Sequence, residues 1–492
     1  MRLAIVAVVA ALGCGGARSV SEGRAPAEVE GLPATRWVAA KPTFMLAAPT
    51  VRQAQRSLRD VIESFGMLVG VDVADASRGL QQLLAIDPLS PDARVAAGID
   101  LEGSLVVFSE DVAPTFVVRL ADPAATQAFF DRQRERGLVT QSVVVEGVEV
   151  FTAQLLARLR VSWAIADDWL WVHFAPQAIR DDAATWFANS RSTQPPARRP
   201  AWRADWAWAT GASRATDRPG LHGFVDAGAL LAMAGSKLPA LARCVQIVAP
   251  VRRVAIAVAA DGPQARGSLT LDVGDAAKDI AGALMPVPEG FAAASAQAPL
   301  AVQWNLDLLA VRAWLHPCLA VLGEDLHELD RLGVRAGRAV LQRFDPDDKS
   351  GAGAVSLDLA HAKYFGARLD DIPMRGTLER DRMFGPHAGH SISIPFVATL
   401  DYVLTDRLAL AGVGDGLLAK VIGTGATVPG PLLAVDVTPP AMSADAWRAM
   451  LSLVVGHRAD LFVTRMMRWK EGHLRVTVEG SSLVLSATGT RR

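Results

Sequence analysis

Three stretches carry residue types that could do chemistry, and two tryptophan-rich ones could shape a surface. GPHAGHSIS sets His390 beside Ser391 behind Gly389, close to the G-x-S-x-G turn that presents a nucleophilic serine between a strand and a helix. The fifth position is Ser393, and the order of elements is inverted: a turn-like segment precedes and the apolar run IPFVATLDYVL follows. Ser391 is therefore not read as a nucleophile. His387 and His390 stand three apart, a spacing at which metal ligands can share a helical face. Gly385-Pro386 and Gly389 argue against a helix there, so the pair reads as surface loop histidines.

The other two stretches fare no better. AGVGDG (411–416) has the look of a phosphate-cradling loop, but Leu417 stands where the third glycine is wanted. DPDDKSG (345–351) resembles a calcium loop. Lys349 occupies a ligand position there, glycine comes one place late, and Ser356 replaces the bidentate glutamate. Hairpin and strand-to-helix turns account for both. No catalytic residue, cofactor or metal ligand is assigned.

Tryptophan is the remaining candidate. WRADWAWATG holds Trp202, Trp206 and Trp208, and WLWVHF holds Trp169 and Trp171. Read as strands, they would set Trp206 and Trp208 on one face. Core packing is the plainer account. The functional alternative is an apolar surface or pocket wall made of Trp169, Trp171, Trp206 and Trp208.

The elements that must position these residues read as strands in pairs with intervening helices. VRQAQRSLRDVIESFGMLVG places Val51, Ala54, Leu58, Val61, Ile62 and Phe65 on one helical face. Asp122-Pro123 opens a helix closed by Gly137. SVVVEGVEVFTA is a hairpin turning at Glu146-Gly147. SADAWRAMLSLVVG reads as a helix, and ADLFVTRMMRW, HLRVTVEG and SLVLSATG read as strands.

Internal similarity is visible between AIADDWLWVHFAPQAI (164–179) and YVLTDRLALAGVGDGL (402–417), each a strand, a turn at Asp and a second strand. A second pair is 254–275 and 339–360, both hairpin-like. Cys244 and Cys318 fall in similar places ahead of that second pair. This makes them a candidate disulfide, worth on the order of 4 kcal/mol if closed; two buried thiols are the alternative.

The fold class expected is α+β: tandem modules of meandering antiparallel sheet with helices packed on one face. The expected boundaries are a signal peptide 1–13, a flexible tether 14–38, an N-terminal module 39–188, a linker 189–200 (NSRSTQPPARRP at its core), a middle module 201–290 and a C-terminal module 291–492. The 492 residues carry a net charge of −1, which gives no reason to expect nucleic acid as partner. Half the chain is hydrophobic, so large cores are possible.

The leader opens with Arg2 and an apolar run from Leu3 to Leu12, too short for a hydrocarbon core of roughly 30 Å. Ala11-Leu12-Gly13-Cys14 resembles the lipobox of bacterial lipoproteins. The departures are Ala11, where that family usually has Leu or Val, and Leu12, where it has a smaller residue. The resemblance implies export, a lipid on Cys14 and cleavage just before it. Gly15 in place of Asp implies the outer membrane over the inner. The segment after it is rich in Gly, Ala, Pro, Ser and charge, and so reads as the tether. The chain as a whole resembles bacterial lipoproteins with repeated α+β modules. The expected role is a non-enzymatic binding or assembly module, held to a membrane through Cys14 and meeting an envelope protein partner. The alternative is a carrier of an apolar ligand such as lipid.

Overall fold

The computed structural model describes residues 29–39, 41–65, 90–109, 113–135, 140–156, 159–176, 186–188, 202–212, 220–237, 250–284, 298–310, 333–347, 350–370, 378–394, 398–414, 416–422, 431–456 and 459–492. The signal peptide, Cys14, Cys244, Cys318 and the linker 189–200 lie outside the described residues. The chain forms two compact units, Met1–Asp272 and Val273–Arg492.

The first unit has strands β1 (Phe44–Ala48), β2 (Leu105–Ser109), β3 (Thr115–Arg119), β4 (Thr140–Val145), β5 (Val148–Leu156), β6 (Leu159–Ala166), β7 (Trp169–Pro176), β8 (Leu221–Val225), β9 (Arg253–Asp261) and β10 (Gln264–Asp272). Every pairing is antiparallel, in the order β10-β9-β8-β1-β2-β3-β7-β6-β5-β4. Helices α1 (Val51–Phe65), α2 (Pro91–Ala96), α3 (Pro123–Glu135), α4 (Trp202–Ala212) and α5 (Ala227–Lys237) connect them.

The second unit has β11 (Leu300–Trp304), β12 (Val334–Asp345), β13 (Ser350–Leu359), β14 (Leu378–Phe384), β15 (His387–Ile394), β16 (Ala398–Leu404), β17 (Leu408–Val413), β18 (Leu433–Val437), β19 (Trp469–Glu479) and β20 (Ser482–Arg491). Its order is β20-β19-β18-β11-β12-β13-β17-β16-β15-β14, again all antiparallel. Its helices are α6 (Ala276–Gly282), α7 (Ala362–Asp370), α8 (Leu417–Val421), α9 (Ala444–Val455) and α10 (Ala459–Met466).

Strand for strand, the two orders are the same, with β1 matching β11 and β10 matching β20. The chain is one ten-strand plan written twice. The 164–179 and 402–417 stretches occupy β6–β7 and β16–β17, as their similarity predicts. The second expected pair does not hold. Residues 254–275 cover β9–β10, while 339–360 cover β12–β13, and these occupy different places in the plan. Cys244 lies between β8 and β9 in the chain and Cys318 between β11 and β12, so their expected equivalence falls with it.

Three further expectations change. First, the middle module is not separate, because β1 pairs with β8 on one side and β2 on the other; residues 221–272 complete the sheet begun at Phe44. Second, helices cover both faces. Trp163 and Ala164 are neighbours on β6 and belong to opposite cores, one facing α3, the other facing α4. A strand such as WLWVHF, apolar at nearly every position, is what two-sided burial requires. Third, the tether ends early. Leu32, Ala34, Thr35, Val38 and Ala39 are buried, and Pro33–Trp37 forms a 3-10 turn. Ala34 donates its N–H to Ser104 Oγ at 2.9 Å. Leu32, Trp37 and Val38 supply the apolar surface for this packing, which the composition of 14–38 taken as a whole obscured.

Two segments expected as strands are helices. Trp202, Trp206 and Ala209, spaced i, i+4, i+7, are the buried positions of α4. ADLFVTRM forms α10, whose Val463 packs beside Trp447 of α9. α3 begins as expected, Asp122 Oδ1 accepting the Ala125 N–H at 3.0 Å. On α1, Val51 and Ala54 of the expected face are buried, with Ser57 beside them, while Leu58 is exposed. Among the described residues no helix is long and apolar enough to cross a membrane.

Candidate functional site

The tryptophans gather, but inward. Trp169, Trp171, Trp186, Trp202 and Trp206 share one core of the first unit. Trp37 meets Trp171 edge-on at 5.0 Å and Trp169 at 6.3 Å. Trp208 is half-buried under the Arg253 guanidinium, 4.2 Å from its ring, and Arg253 is itself held by Asp205 and Asp272, each at 3.0 Å. The expected apolar surface is thus core at Trp169, Trp171 and Trp206, and a cation–π stack at Trp208.

Two histidines complete this core, and neither was singled out from the sequence. His173 stacks on Trp186 at 4.8 Å. Its Nδ1 lies 2.9 Å from Thr115 Oγ1, which also accepts the Trp186 indole N–H at 2.9 Å. His222 on β8 sits 4.5 Å from the Trp206 ring, and burial pushes its pKa down to about 4. Its Nδ1 has no hydrogen-bond partner among the described residues, and the same holds for the buried indole N–H groups of Trp171 and Trp202. A histidine in an apolar strand, GLHGFV, was the only sequence signal for His222.

In the second unit the rejected motifs become turns and strands. His387 and His390 lie on β15, where a spacing of three puts them on opposite faces. His390 Nδ1 is 3.2 Å from Asp381 Oδ1, and its ring stacks on Tyr402 at 5.1 Å. Ser391 donates its hydroxyl hydrogen to Asp401 Oδ1 at 2.7 Å. Asp401 is fully buried, and its Oδ2 has no partner among the described residues. Adjacent on one strand, His390 and Ser391 face opposite sides, so serine, imidazole and carboxylate do not line up as a relay.

AGVGDG is the turn from β17 to α8. A Cβ on Gly412 would come within 2.9 Å of Leu418 Cβ, so this glycine lets the helix approach the sheet. DPDDKSG is the β12–β13 hairpin, with Asp345 opposite Ser350.

The fold and these sites define a duplicated antiparallel-sheet protein with helices packed against it. No family model and no curated protein matches the chain. Two crystal forms of TP0453, III and I, are similar in part, each at 13% identity over 51% of this chain. They are covered over 86% and 81% of their own lengths, with TM-scores of 0.29 and 0.28. A third, form IV, is 12% identical over 48% of this chain and 78% of its own, with a TM-score of 0.27.

Proposed function

We propose that this protein is a lipid-anchored, non-enzymatic envelope protein of α+β class whose tandem units bind or assemble with other envelope components. The observation that supports this best is the duplication itself. One ten-strand plan appears twice, and the residues that could do chemistry serve packing in both copies: Trp206 beside His222 in one, Ser391 on Asp401 in the other. A repeated unit presents its surface twice, the arrangement that multivalent binding exploits. The anchor reading rests on ALGC at 11–14. Cys14→Ser is expected to move the protein from the membrane pellet to the soluble fraction of a cell lysate; continued pelleting would overturn the anchor.

A second reading, a carrier of an apolar ligand, has one observation in its favour. Trp171, Trp202 and His222 bury polar atoms that find no acceptor or donor among the described residues, at roughly 1–3 kcal/mol each, and the polar head of a lipid would supply the partners while its apolar part met the surrounding tryptophans. Native mass spectrometry of the gently purified protein separates the two. A lipid-sized added mass supports the carrier, and a bare mass supports the assembly role.

A further inference from the structure

The outermost strand of the first unit, β4, reads TQSVVV. Gln141, Ser142, Val143 and Val144 are all exposed, Val144 at 69% and Val143 at 42%. Among the described strands β4 pairs with β5 alone. It carries no charge and no proline, and four of its six residues are β-branched. The strand in the same place in the second unit, β14, reads LERDRMF, with four consecutive charges from Glu379 to Arg382. Charge on an outer strand is a usual guard against pairing with another chain. One copy of the plan keeps that guard and the other lacks it.

The turn at Glu146-Gly147 fixes which backbone groups of β4 point outward. It is a two-residue hairpin, with φ of 49° and 78°, so Val145 and Val148 form the closing hydrogen-bonded pair. Alternation then binds Val143 and Gln141 to β5 and leaves the N–H and C=O of Ser142 and Val144 directed away from the sheet.

We propose that β4 is a strand-addition interface whose occupant is a second copy of this chain, paired antiparallel across a two-fold axis at Ser142. In that register Ser142 faces Ser142 of the copy, Val144 faces Thr140 and Val143 faces Gln141. An uncharged strand meets itself with no like-charge repulsion, whereas a foreign partner is usually selected by charges that TQSVVV does not offer. The axis closes the contact, so assembly stops at a dimer. This names a partner for the assembly reading and rests on it. Anchoring is read by pelleting and pairing by mass, so either can fail alone.

The test is sedimentation equilibrium of the full chain in density-matched detergent at roughly 0.1 mM, a hundredfold above a micromolar dissociation constant. The expected result is a dimer. Ser142→Lys sets like charges face to face on the axis. Ser142→Pro removes an N–H that β5 does not use, so the sheet keeps its own bonds. Both are expected to sediment as monomers with the wild-type circular dichroism spectrum, and Met383→Lys on β14 is expected to remain a dimer. A monomeric wild-type chain, or a dimer that survives both Ser142 variants, overturns the proposal.

Discussion

His222 shows how one residue carries a measurable consequence. Its side chain is buried against Trp206, and desolvation lowers its pKa from 6.5 to about 4. The unfolded chain therefore binds this proton more readily than the folded one, and folding loses stability as pH falls from 6.5 toward 4. Above that window the contribution is fully present, and below it no further loss occurs. The size is about 3 kcal/mol, from the width of the window. His222→Leu is expected to flatten the denaturant midpoint across this range; an unchanged slope against pH would show that His222 is not the group responsible. Asp401 makes a related point. An aspartate inside IPFVATLDYVL looks like the polar face of a strand, yet it is fully buried with Ser391 as its partner.

At the scale of elements, the segment 29–39 is the instructive case. It is short and follows a long stretch poor in large apolar residues, yet it holds Val29, Leu32, Trp37 and Val38 itself, and Ala34 and Val38 are fully buried in the first unit's core. Deleting residues 15–28 is expected to leave the melting temperature unchanged. Extending the deletion through 39 is expected to cost several kcal/mol, since it strips a core that includes Trp37 against Trp171. Equal melting temperatures for the two deletions would show that the segment is a tether after all. The helices α4 and α10 teach a second lesson. Both hold apolar residues at alternating and at helical spacing, and packing chose the helical set: Trp202, Trp206 and Ala209 in one, Val463 beside Trp447 in the other.

For the whole molecule, the decisive feature is the repeated plan. It removes the reason for pairing Cys244 with Cys318, which follow different strands of that plan. In the Cys14→Ser variant, thiol titration of the unfolded, unreduced chain is accordingly expected to count two reactive thiols; a count of none would restore the disulfide. The repeat also makes comparison within one chain possible. β4 and β14 stand in the same place with opposite protection, and that contrast is invisible until the strand orders are known.

What the sequence determined by itself is local. The turn at Glu146-Gly147, the Asp122 cap, the β6–β7 hairpin and its counterpart at β16–β17 depend on residues close in the chain, whose φ preferences and alternation can be read directly. The departures from motif at Ser393, Leu417 and Lys349 were likewise legible as residue types. Tertiary structure decided everything that depends on distant partners. It joined β1 to β8 across the expected linker, put helices on both sheet faces, and turned Trp169, Trp171, Trp202 and Trp206 into core. It also buried His222 and Asp401, whose surroundings come from strands far away in sequence. Burial is a property of what covers a residue, and a residue's own neighbours in the chain do not say what that will be.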